Sequence, residues 1–105
     1  MIISTTHTVP GREIVEILDI VRGNTVRTRN IGVKFIAGFK NIIGGEVHQY
    51  TELMAHTREH ALERMIADAE RIGADAVVGV QFNTASIMAG DSEILAYGTA
   101  VRLSK

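Results

Sequence analysis

Along the chain the spacing of apolar residues changes several times, and each change marks an element. Ile2-Ile3 followed by Ser4-Thr5-Thr6 reads as a short N-terminal strand, and Pro10-Gly11 as a loop. Residues 13–22, Glu-Ile-Val-Glu-Ile-Leu-Asp-Ile-Val-Arg, are rich in β-branched side chains and predict a second strand. Strict alternation puts Val15, Ile17 and Val21 on one face and Ile14, Leu18 and Ile20 on the other. A strand with one wet face should not carry aliphatics on both sides. Either both faces are covered or a bulge switches them. Gly23-Asn24 suggests a turn or a bulge, after which Thr25-Val26-Arg27 resumes the strand.

Asn30 has the chemistry of an N-cap for a short helix over 31–43, with Ile31, Phe35, Ile36, Phe39, Ile42 and Ile43 at helical spacing. Gly44-Gly45 closes it, and Gly38 lies inside it. A longer helix is predicted from Thr51 to Ile72, ending at Gly73. On its wheel Met54, Ala55, Ala61, Leu62, Met65, Ile66, Ala69 and Ile72 share one sector, while His56, His60, Glu63, Arg64, Glu70 and Arg71 cover the opposite side. Met54, Leu62, Met65, Ile66 and Ala69 should therefore lie on the sheet. Arg58 falls inside the apolar sector, where an arginine either snorkels to an edge or pairs with a carboxylate across an interface. Residues 75–88 predict a strand, 89–92 a turn and 93–103 a last strand, together an antiparallel hairpin. In the last strand Leu95, Tyr97, Val101 and Leu103 alternate with Ala96, Gly98 and Ala100, so one face is small and admits a close neighbour.

Composition narrows the function classes. The 105 residues fit one domain, 1–105, of α+β class. Apolar residues at 46% and charged residues at 22% give an ordinary globular balance and argue against disorder. A formal charge of −1 without a basic stretch disfavours phosphate-driven nucleic-acid binding. The absence of cysteine excludes a disulfide, a zinc ribbon and a thiol nucleophile. No signal-peptide pattern and no apolar run long enough for a membrane are present, so the expected location is the cytoplasm.

The sharpest chemical pattern is His56-Thr57-Arg58-Glu59-His60, an H-x-x-E-H string. Histidines four apart on a helix can reach one metal ion, with Glu59 as base, which makes a metal-dependent hydrolase through His56, Glu59 and His60 the enzymatic alternative. Both histidines fall on the polar side of the wheel, and the expected reading is solvated side chains without metal. His7 and His48 lie near element ends, and Lys40 beside Gly44-Gly45 could form an anion nest. Glu63, Asp68 and Glu70 read as solvated charges. No dinucleotide, P-loop or nucleophile-elbow motif occurs. The expectation is a non-enzymatic homo-oligomeric module with no cofactor that binds a small ligand or partner, with metal binding through histidine and carboxylate ligands as the alternative.

Several blocks in order resemble one family. Arg29-Asn30-Ile31-Gly32, Gly44-Gly45-Glu46, Tyr50-Thr51-Glu52-Leu53 and Ile72-Gly73-Ala74-Asp75-Ala76-Val77-Val78-Gly79-Val80 are similar to the YbjQ-like family, whose label speaks of heavy-metal binding. The resemblance implies a dodecin-subunit-like protomer of two layers, a small antiparallel sheet covered by the long helix plus a short one. It also implies a ring-shaped homopentamer. It supplies no reaction, and His56 and His60 are not part of the resembling pattern.

Overall fold

The computed structural model describes residues 1–27, 48–88 and 91–105. The short helix expected over 31–43, with Lys40 and Gly44-Gly45, lies outside the described residues. Strands β1 (Ile2–Ile3), β2 (Ile14–Arg27), β3 (Ala76–Met88) and β4 (Asp91–Leu103) form a four-stranded sheet in the order β1-β3-β4-β2. Helix α1 (His48–Arg71) packs on one face, mainly over β2 and β4. The central β4 runs antiparallel to both β2 and β3, with β3 and β4 pairing as expected, and the two-residue β1 adds a parallel edge on Ala76 and Val77. Asp91 and Ser92, expected in the turn, belong to β4, and residues 89 and 90 lie outside the described residues.

The helix forms where its apolar residues recur at helical spacing, and it stops where Gly73 adopts φ 77°. The Ala74 amide bonds the Ala69 carbonyl at 3.1 Å and the Gly73 amide bonds that of Glu70 at 3.0 Å, the reciprocal pair of a Schellman cap. Ala61, Met65 and Ala69 are fully buried against Val21, Val77, Val80, Ile94, Ala96 and Ala100. Leu62, Ile66 and Met54 are only half-buried at the margin of this core. Buried Thr25 donates its hydroxyl to the Thr57 carbonyl at 3.2 Å across the same interface.

β2 carries two register shifts, between Ile14 and Glu16 and between Ile17 and Asp19. Each extra residue turns the following side chains to the other face. Ile14, Ile17 and Ile20 therefore stand opposite Leu103, Val101 and Thr99 on the face away from the helix, while Leu18 and Val21 pack toward it. Strict alternation separates Ile17 from Ile20; the shift between Ile17 and Asp19 reunites them. Gly23 is neither turn nor bulge. The strand runs straight through it, and α1 crosses so closely that a Cβ there would overlap the Ala61 carbonyl oxygen and the Met65 nitrogen, with Arg64 Cβ at 2.7 Å. Among the described residues the second face is covered at one end only, where Val9 and Ile14 pack on Ala76, Val78, Val101 and Leu103.

Candidate functional site

The two long edges of the sheet differ. On the outer edge of β2, the amide of Arg22 donates to Asp68 Oδ2 at 3.3 Å, and the carbonyl of Asn24 accepts from Arg64 Nη1 at 2.6 Å. The amide of Ile20 donates to Asp19 Oδ1 at 2.7 Å. Residues 20, 22 and 24 point away from β4, so side chains close the stretch that another strand would otherwise recognise. Asp68 is thus a structural carboxylate and not the solvated charge its wheel position suggests. Its carboxyl is held below the ordinary value chiefly by the hydrogen bond from Arg71 at 2.8 Å. Partial burial opposes this, and the Arg22 amide and the charges of Arg71 and Arg22 add to it. No periodicity signal could have found this role, because it depends on which flank of α1 overhangs β2.

β2 also exposes large aliphatics: Val15 at 62%, Ile17 at 70% and Ile20 at 59% of their surface. On the same face a shallow depression of about 280 Å³ is lined by Ile20, Arg22, Asn83, Leu95 and Tyr97. The Tyr97 hydroxyl donates to Gln81 Oε1 at 2.9 Å. A second hollow of about 180 Å³ lies on the helix side between Leu62, Val80 and Phe82.

His56, Glu59 and His60 are all exposed on α1. Among the described residues no three His, Cys, Asp or Glu side chains come close enough to share a metal ion. With no cysteine in the chain, this donor set does not fit a soft heavy-metal ion, which favours thiolate or several imidazoles. The ring of His7 lies beside Gly79, whose φ of 63° belongs to the β3 bulge. His48 opens α1. Arg58 is exposed on α1.

This arrangement is that of a two-layer α+β domain whose chemistry-bearing residues stay dispersed and whose notable surface is a partly open sheet face. The sequence matches a family profile described as "Putative heavy-metal-binding" over residues 1–104, and the chain belongs to this YbjQ family. It is 57% identical over 103 residues to a UPF0145 protein of Archaeoglobus fulgidus, covering 98% of this chain and 95% of that one. A UPF0145 protein of Vibrio campbellii is 56% identical over 103 residues, covering 98% and 99%. The fold resembles the crystal structure of a protein of unknown function from Pediococcus pentosaceus assigned to the DUF74 family, with TM-score 0.65, 16% identity and coverage of 99% and 98%. At that identity the likeness speaks for the fold alone.

Proposed function

We propose that this chain is a non-enzymatic, cytoplasmic module that works as a homo-oligomer. The observation that carries the reading is the exposure of Val15, Ile17 and Ile20 on one strand of a packed sheet. Leaving three large aliphatics wet on a sheet invites association unless a second copy covers them. Because residues 20–24 of the β2 edge are occupied by Asp19, Asp68 and Arg64, the contact falls on the first half of β2 and on the face beside it. A heterologous contact of this kind closes into a ring, and the number five comes from the family resemblance. No helix among the described residues is long and apolar enough to cross a membrane.

Light scattering of untagged protein at micromolar concentration tests the assembly. Ile17→Lys and Ile20→Lys lie on one exposed face, so both should lower the mass while keeping the helical signal, whereas Val21→Lys, 1% exposed, should unfold the chain. A monomeric wild type would refute the reading. Metal analysis of the same preparation addresses the alternative, metal binding through His56 and His60. Stoichiometric zinc lost in a His56→Ala/His60→Ala variant would favour that alternative.

A further inference from the structure

We infer that the depression on the open sheet face is a binding site for a small monocarboxylate with an apolar body, held through Arg22. This goes beyond the assembly; because Ile20 lies both on the proposed contact face and in the wall of the hollow, the two readings are tested separately. Arg22, Tyr97 and Gln81 form one row across β2, β4 and β3, and Leu95 with Asn83 forms the next. Three strands thus bring a guanidinium, an amide and a phenol to the rim of a hollow whose walls are Ile20 and Leu95. A mostly apolar hollow with a few convergent polar groups is the usual plan of a small-molecule site.

The polar groups differ in what they have left to give. The Tyr97 hydroxyl is committed to Gln81, which fixes the ring as a wall. The Asn83 amide, among the described residues, makes no hydrogen bond through its side chain and can donate. Arg22 is anchored by its own amide on Asp68, on the far side of the sheet, so its Cα is held while its side chain projects onto the open face. Its guanidinium forms no ion pair among the described residues, where Arg71 pairs with Asp68 and Arg102 with Glu16. Among the described residues no carboxylate lines the hollow. A planar cation without a partner among the described residues, beside apolar walls, complements a planar carboxylate, which it grips through two parallel hydrogen bonds. The volume of about 280 Å³ suits a compact ligand and not a nucleotide or a peptide.

The experiment is a calorimetric titration of the full chain with 4-phenylbutyrate, with the methyl shifts of Ile20 and Leu95 followed by NMR. Saturable binding with Kd on the order of 1 mM or tighter is expected, with shifts centred on those methyls. Arg22→Met should weaken it at least about 10-fold, and neutral 4-phenylbutanol should bind the wild type at least about 10-fold more weakly. Inorganic phosphate should bind more weakly than 4-phenylbutyrate, because it leaves the apolar walls unused. No saturation, binding indifferent to Arg22→Met, or phosphate binding as well as 4-phenylbutyrate would each overturn the proposal. Light scattering on the same samples separates the two readings. A monomeric wild type that still binds the probe removes the assembly and keeps the site. Loss of mass in Arg22→Met with no probe binding by the wild type assigns Arg22 to a carboxylate of a second copy and overturns the site.

Discussion

Gly23→Ala puts one methyl group where α1 crosses β2. The added Cβ would overlap the Ala61 carbonyl oxygen and the Met65 nitrogen, and would stand 2.7 Å from Arg64 Cβ. None of these is the loose end of a flexible side chain, so the helix itself must retreat, by roughly 1 Å. A gap of that size forfeits up to about half of the dispersion energy along Ala61, Met65 and Ala69, which are fully buried. Overpacking of this kind costs about 1–3 kcal/mol. The retreat also stretches the Arg64–Asn24 and Asp68–Arg22 hydrogen bonds, each worth about 0.5–1.5 kcal/mol. The sum is about 2–6 kcal/mol, a large part of the stability of a domain this size. Gly98→Ala is the internal control. Its Cβ would meet Val77 Cγ1 at 2.6 Å and Val80 Cγ2 at 3.2 Å, which can rotate, and the Val78 carbonyl oxygen at 3.0 Å. We expect about 1–2 kcal/mol there. Urea unfolding followed by far-ultraviolet circular dichroism, at two protein concentrations to separate assembly from folding, measures both. A loss below about 1 kcal/mol for Gly23→Ala, or a loss no greater than that of Gly98→Ala, would refute the close crossing.

Met65→Ala, at a site 0% exposed, should cost about 2–5 kcal/mol, and Leu62→Ala, half-buried beside Phe82, about 1–2 kcal/mol, the order being checked by the same unfolding assay. Asp68→Asn should cost about 0.5–1.5 kcal/mol near neutral pH. Because the folded carboxyl titrates below its unfolded value of 3.8, its contribution is complete above that value and is lost as the pH falls through the folded one. Unfolding curves of wild type and Asp68→Asn taken at falling pH should therefore converge below about pH 4, and a gap that widens in acid would contradict the assignment.

Periodicity alone determined the long helix, its stop at Gly73, the final hairpin and the small face of β4, because each depends on neighbours within a few residues. Ala61, Met65 and Ala69 were legible as core for the same reason. The tertiary structure decided which face of β2 each aliphatic occupies. A bulge is placed by the partner strand's register, and one extra residue inverts everything after it, so Ile17 and Ile20 could not be placed together by counting. It also decided what Gly23 is for. A glycine at a turn and a glycine under a crossing helix look alike in a sequence, and only the approach of Ala61 and Met65 distinguishes them. Asp68 and Arg64 carried no local sign of their hydrogen bonds to β2, since the overhang of a helix flank is set by the crossing as a whole. The depression around Arg22 was invisible for a related reason. Its described lining residues come from three strands, and they meet only because the register of β2, β4 and β3 lines them up.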